Sequence, residues 1–399
     1  MLCNPHRHHV GRVAVINGVT KTSTGTQSYT VTGFESRVPV GCIIIANCTA
    51  TGDSELTDVS DSTQCVGASD GTNHRALLRS SEDGLTTSDA GKVASHNSCL
   101  ILGLANASSI LVEANVDSFD AMGVTLDFTT ASATAYNLSI MLFFDCNFYV
   151  GDQTLSGTAA ATTSVTGVGF KPSGMLFLFS GQSSEMAWDK ANRAAGYAGT
   201  SFGDEVEDFQ MHFFQDIDAQ GTTNCRSRHG TTDDHIVRYG GTGNRHEISS
   251  YDDDGFTTVN SSGTWDAPLG FACWDNIRTH TEDENYTGTS TGTFGAPTFT
   301  PHAALMIGTS NPTAGSQQQA APGTDSMSLG MAGDLTGSMV QASYSMYQDD
   351  AVGTTNTRQQ YATDRVSIDG TYIITSFTSE ACNLSYVDGG VGSGILFGT

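Results

Sequence analysis

Three segments of this chain open alike: YTVTGFESRVPVGCIIIA (29–46), TSVTGVGFKPSGMLFLFSG (163–181) and TFGAPTFTPHAALMIGTS (293–310). Each sets an aromatic residue (Phe34, Phe170, Phe299) and then a proline (Pro39, Pro172, Pro301) ahead of a hydrophobic run. The aromatic residues lie 136 and 129 residues apart. A hydrophobic-Gly pair follows at offsets of 33, 33 and 31 residues: Val66-Gly67, Phe202-Gly203 and Leu329-Gly330. Then come a Thr-Asn-x-Arg turn (72–75, 223–226, 355–358), an Asp/Gly turn opening a strand (DAMGVTLDF, DDGFTTV, DGTYIITSF) and a closing apolar strand (138–145, 270–275, 394–398). Shared order at near-constant spacing constrains the chain more than any one match does. The period exceeds that of solenoids and propellers and suits a complete small domain.

The repeated unit reads as β. Helical periodicity is confined to EMAWDKANRAA (Glu185–Ala195), which is expected to form a short helix. Elsewhere, short runs rich in β-branched and aromatic residues end in Gly, Ser, Thr, Asn or Asp, the grammar of strands and turns. A proline just before a strand costs no ladder hydrogen bond. CIIIA (42–46) and MLFLF (175–179) do not alternate, so both faces of these strands are expected to be covered. The expected fold is all-β: tandem β-sandwich domains, jelly-roll-like or concanavalin-like, after an extended N-terminal arm. The expected divisions are 1–27 for the arm and 28–160, 161–290 and 291–399 for three sandwich repeats, each able to fold alone.

Charge narrows the partners. The chain has 17 Lys and Arg against 42 Asp and Glu, a formal charge of −25. Such a chain repels phosphate backbones and anionic headgroups, so neither nucleic acid nor membrane is an expected partner. The first residues, MLCNPHRHHVGRVAVING, hold too short an apolar stretch for a secretory signal. Nine cysteines, an odd number without a CxxC pair, read as buried reduced thiols, with a disulfide framework or a zinc site as the other readings.

The second repeat resembles a domain of tail-fibre and other virion proteins of tailed bacteriophages. The residues that carry the resemblance are TGVGFKP (166–172), SSYDDDGFTTVNSSGTW (249–265) and GFACWD (270–275). They cover about a third of the chain, and the first and third repeats match more loosely. The family's usual W-I-K strand is replaced by MLFLF (175–179). The resemblance implies a β-sandwich of a structural or adhesive protein and brings no catalytic residues.

Few constellations suggest chemistry. His6, His8 and His9 form an HxHH cluster that has imidazole ligands to offer a divalent transition metal, or is an exposed arm with no specific ligand. Asp252-Asp253-Asp254-Gly255 resembles the start of a calcium loop but lacks alternating spacing and a distal Glu, so an Asp-rich hairpin turn is expected. Thr232–His235 and Thr281–Asn285 read as solvated loops. The Thr-Asn-x-Arg turns read as hairpins whose Arg pairs with a carboxylate. No nucleophile elbow, zinc-protease motif, phosphate loop or dinucleotide fingerprint is present. Glycosidase carboxylates pair in space and leave no linear trace. With 19 Phe against 3 Trp, the aromatics read as core rather than as a carbohydrate cleft.

These observations lead to a non-enzymatic structural protein of a tailed-phage virion, displayed on the capsid as a decoration or cement protein or on the tail. No catalytic residue, metal or cofactor is expected, and no binding residue is assigned. Expected partners are other virion proteins and further copies of the chain, with a trimer favoured and a pseudo-threefold monomer as the alternative. The rival reading is a tail-fibre adhesin for host glycans, whose aromatic platform would be drawn from Trp188, Tyr197, Tyr239 and Trp265.

Overall fold

The computed structural model describes residues 11–32, 36–50, 54–59, 61–82, 89–104, 108–180, 185–186, 188, 197–205, 208–215, 226–230, 235–239, 244–262, 268–286, 290–294, 297–309, 317–319, 326–334, 338–347, 358–363, 372–378, 381–386 and 390–398. Among them there are strands and turns and no helix. The first repeat contains β1 (Arg12–Val19), β2 (Gly25–Thr30), β3 (Gly41–Ala50), β4 (Ser54–Asp58), β5 (Asp61–Ser69), β6 (His74–Glu82), β7 (Asp89–Ser95), β8 (Leu100–Leu104), β9 (Ser109–Asp120), β10 (Gly123–Thr130) and β11 (Tyr136–Phe144). The second contains β12 (Phe148–Thr154), β13 (Thr162–Thr166), β14 (Gly174–Phe179), β15 (Tyr197–Glu205), β16 (Asp208–Gln215), β17 (Arg226–Gly230), β18 (His235–Tyr239), β19 (Asn244–Asp252), β20 (Gly255–Ser262) and β21 (Pro268–Trp274). The third contains β22 (Arg278–Tyr286), β23 (Ser290–Phe294), β24 (Pro301–Thr309), β25 (Gln317–Gln319), β26 (Ser326–Gly333), β27 (Val340–Tyr347), β28 (Arg358–Ala362), β29 (Tyr372–Thr378), β30 (Ala381–Tyr386) and β31 (Gly390–Gly398).

The three repeats share one topology. The larger sheets run β1-β11-β3-β5-β6-β7, β12-β21-β14-β15-β16-β17 and β22-β31-β24-β26-β27-β28. Each is backed by a smaller antiparallel sheet: β2-β10-β9-β8, β13-β20-β19-β18 and β23-β30-β29. All six sheets are open, and each facing pair encloses its own apolar cluster.

The other face of every larger sheet packs into a single common core. Val13, Ile43 and Phe143 of the first repeat, Leu176, Leu178 and Trp274 of the second, and Leu305, Ile307 and Phe397 of the third meet there. This accounts for the runs that do not alternate. In β3, Ile43 and Ile45 enter the common core, while Cys42, Ile44 and Ala46 fill the first sandwich. In β14, Leu176 and Leu178 face the common core, while Met175, Phe177 and Phe179 face the second sandwich. In β24, Ala303, Leu305 and Ile307 divide from Ala304 and Met306 in the same way. The period of two is intact, but both of its faces are dry.

The repeats also exchange strands. The segment after the third strand of each larger sheet leaves its own repeat and pairs with the outer edge of a neighbour. β4 of the first repeat extends the third sheet at β28, with Arg358 opposite Asp58. β25 of the third extends the second sheet at β17. Met186 of the second donates its N–H to the Ala94 carbonyl of β7, at 3.0 Å. The edge strands β12, β22 and β1 pack in the same rotation on β5/β6, β15/β16 and β26/β27. The three contacts close a ring with pseudo-threefold symmetry: β28 and β17 are each extended by a neighbour's strand, and β7 takes a backbone hydrogen bond from the neighbour's Met186, which blunts edges that would invite association.

Several expectations change. The arm is cut short: Arg12–Val19 is β1, paired with β11 from Arg12 opposite Phe144 to Val19 opposite Asn137, because Val13 and Val15 supply one dry face and Ala14 the other. Residues 1–10 lie outside the described residues. Each repeat begins a strand earlier than its aromatic residue indicated. β12, expected in the first repeat, pairs with β21 of the second, and β22 pairs with β31 of the third. The Thr-Asn-x-Arg turns are not equivalent: 72–75 joins β5 to β6, whereas Arg226 and Arg358 open β17 and β28, one hairpin later. DGTYIITSF contains β29, which matches β9 and β19 in sheet position rather than β10 and β20. The expected helix at 185–195 has Glu185 and Met186 in a turn, and 187 and 189–196 lie outside the described residues, as does Phe34. The shared core also removes the physical basis for three separately folding units, since each larger sheet has one face that only its neighbours cover.

Candidate functional site

Among the described residues, a densely connected charged cluster sits where the first and second repeats meet. Arg75 stands on β6, His96 follows β7 and Asp152 stands on β12. Arg75 grips both carboxylate oxygens of Asp152 through Nε and Nη2, and its Nη1 donates to the His96 carbonyl at 2.7 Å. His96 Nδ1 lies 3.0 Å from Asp152 Oδ1. Glu185, from the exchanged segment, accepts from the His96 N–H at 2.5 Å and from Ser95 Oγ at 2.6 Å. Lys92 Nζ donates to the Ser180 carbonyl at the start of that segment. A cavity of 20 Å³ lies alongside, lined by Arg75, His96, Ser180 and Gly270 among others, room for about one water molecule.

The groups tune one another. The Asp152 hydrogen bond raises the His96 pKa above its ordinary value; burial and the Arg75 charge oppose the shift. Burial pushes the Asp152 carboxyl upward, but the hydrogen bonds and charges of His96 and Arg75 outweigh it and leave the pKa lowered. Bidentate Arg–carboxylate pairing is directional as well as strong. Nearby, Asp70 on the β5–β6 turn accepts from the N–H groups of Thr72, Asn73 and Val150, the last on β12 at 3.0 Å. The whole cluster therefore fastens β12 and the exchanged segment to the first repeat.

The equivalent place between the third and first repeats is built differently. Asn17 takes the position of Asp152 and donates Nδ2 to the Gln341 carbonyl at 3.0 Å. A cleft of 340 Å³ opens there, walled by uncharged residues that include Val15, Asn17, Val31, Gly333 and Val340.

The Asp-rich turn is a hairpin between β19 and β20, with Asp252 paired to Gly255. Asp254 accepts from the N–H of Gly167 at 2.9 Å and of Gly169 at 2.6 Å. Both glycines have positive φ, +83° and +88°, a geometry that turns successive N–H groups toward one anion. These two hydrogen bonds hold the Asp254 pKa below the usual carboxylate range. TGVGF and SYDDDGFT, distant in sequence, thus form one interlocked unit. Asp252 accepts from Ser250 and Thr257, and Asp120 of the first repeat accepts from Ser118 and Thr125 in the same pattern.

The other expected site residues are dispersed. Trp188 is half-buried against the first sandwich, close to Gly103, rather than standing as a platform. Trp265 and the side chains of Tyr197 and Tyr239 lie outside the described residues, as do His6, His8, His9 and 232–234, whereas 281–285, expected as a solvated loop, is part of β22, paired with β31 and with Thr281 buried. Among the described residues no group of three or more His, Cys, Asp or Glu has metal-binding geometry. The cysteines described are free thiols, and burial pushes Cys42, Cys48 and Cys65 up to about 12. Ser69 Oγ lies 2.8 Å from His74 Nδ1, but Ser69 is fully buried and also accepts from the Gly71 N–H, so the pair locks a hairpin. The inter-repeat cluster had only a partial sequence signal, the Arg of TNHR, because its partners lie 21 to 110 residues away along the chain.

No protein-family model matches the chain, and no curated protein matches it. Among solved structures, a mutant porin of Rh. blastica is 10% identical over 97% of this chain and 100% of its own, with a TM-score of 0.12. OmpT, an outer membrane protein of Vibrio cholerae, is 10% identical over 97% and 98%, with a TM-score of 0.10.

Proposed function

We propose that this chain is a non-enzymatic structural protein of a tailed-phage particle, displayed on the capsid or the tail. The observation that carries the reading is the closed ring of three like sandwiches around one core. It gives one polypeptide the shape of a trimer, which suits a threefold or quasi-threefold position on a symmetric particle. The phage-type segments 166–172, 249–265 and 270–275 support the same reading, since they build the Gly167/Gly169–Asp254 lock and the strand that carries Trp274 to the common core. An acidic, lysine-poor exterior keeps such particles dispersed. Mass spectrometry of purified particles tests the proposal: the chain is expected at a stoichiometry tied to the particle's symmetry, and its absence from washed particles overturns it.

A further inference from the structure

The inter-repeat cluster combines a titratable bridge with the closure of the ring. Three elements meet at His96: Asp152 faces it from β12, Arg75 from β6, and Glu185 from the exchanged segment of the second repeat. One carboxylate therefore meets the imidazole, a second holds the backbone N–H of the same residue and favours the charged ring through its field, and the guanidinium that shares Asp152 is directed to both oxygens of that carboxylate and to the His96 carbonyl. Two residues before His96, near the end of β7, the Ala94 carbonyl accepts from the Met186 N–H, so the exchanged segment is paired with β7 directly beside the bridge. Where the third repeat meets the first, the corresponding contact runs through the neutral Asn17 and Gln341.

We infer that the Arg75–Asp152–His96–Glu185 cluster is a pH-sensitive clasp between the first two repeats, tight when His96 carries a proton and looser when it does not. A protonated imidazole bridges Asp152 as a cation and lies in the field of Glu185; a neutral one keeps at most a single hydrogen bond. The His96 pKa is raised, so its contribution is complete below the unfolded value of about 6.5 and is lost as pH rises through the raised value. The clasp rests on the geometry of one joint and is independent of where the protein resides.

Hydrogen exchange on the full chain tests it through two amides, Met186, bonded to Ala94, and Val150, bonded to Asp70. After correction for the intrinsic rate, Met186 and Val150 are expected to be protected several-fold more at pH 6 than at pH 8.5. His96→Asn should level the two values, and NMR should place the His96 midpoint above about 6.5. Glu185→Gln, which keeps the shape but loses the charge, should weaken Met186 protection at both pH values. Equal protection of the unaltered protein at pH 6 and 8.5 overturns the clasp. So do an unchanged pH dependence in His96→Asn and a midpoint at or below 6.5. If His96→Asn fails to fold, the midpoint and the Glu185→Gln result decide.

Discussion

Three aromatic side chains hold the centre of the molecule. Phe143, Trp274 and Phe397 occupy equivalent places on β11, β21 and β31, opposite Gly41, Gly174 and Ala303. Their ring centroids form a nearly equilateral triangle, with sides of 5.3, 5.7 and 5.6 Å. Tilted and edge-on contacts at these distances add to the burial of the rings. Trp274 is fully buried, so Trp274→Ala is expected to cost about 3–5 kcal/mol, read as a lower denaturation midpoint in urea. The small residues opposite are part of the arrangement, since a Cβ on Gly174 would collide with the Trp274 indole. Asp254 makes a different kind of prediction. Its pKa is lowered by two backbone donors, so its contribution is present above the unfolded value and is lost only as pH falls through the lowered one. The amides of Gly167 and Gly169 should stay protected from exchange through mild acid and open below it. Asp254→Ala should open them at every pH while leaving the β14 amides protected.

At the scale of elements, the exchanged segments explain how so many strands avoid open edges. β4, the turn at Met186 and β25 do one job at three places, yet their sequences, SELTD, the residues around Met186, and QQQ, have nothing in common. Each needs only a backbone to offer and a neighbour's edge to cover. No pattern in the chain marks such a task, and at one of the three places, 185–195, the sequence pattern points to a helix instead. Replacing 54–58 with an equally long Gly/Ser segment should leave the three sandwiches formed but uncover β28. The expected outcome is concentration-dependent association in light scattering, through an edge that β4 normally fills. A dispersed protein at high concentration would mean that β28 is guarded by other means. Trp188 belongs here too: it covers the first sandwich near Gly103, so an effect of Trp188→Ala on glycan binding would have to be separated from lost packing.

At the scale of the whole molecule, one shared core predicts one unfolding event. Calorimetry should give a single transition, and a chain lacking 292–399 should lose its cooperative melt instead of keeping two folded domains, because Val13, Ile43, Leu176 and Trp274 would face water where Leu305, Ile307 and Phe397 now pack. Two resolved transitions in the intact chain, or a cooperative melt in the truncated one, would contradict this. The ring also satisfies internally the burial for which further copies were invoked at the level of sequence. Light scattering at micromolar concentration should therefore return a mass near 42 kDa for the isolated chain.

The sequence by itself determined the strand class, the threefold repetition and the demand that CIIIA and MLFLF be covered on both faces. These depend on residues close together in the chain: β-branched runs, the turn residues that end them, and landmarks recurring in order. It did not determine what covers them. β5, DSTQCVGAS, is buried along its whole length although half its residues are polar, because it lies beneath neighbouring repeats where Gln64 reaches the Tyr344 carbonyl at 2.9 Å. The non-equivalence of the three Thr-Asn-x-Arg turns was hidden for a related reason: four residues suit many hairpins, and only the ladder shows which strands they join. Ring closure, strand exchange and the Arg75–Asp152–His96–Glu185 clasp bring together groups up to hundreds of residues apart, and only tertiary packing decides such contacts, since it sets which of many compatible surfaces lie close enough to exclude water.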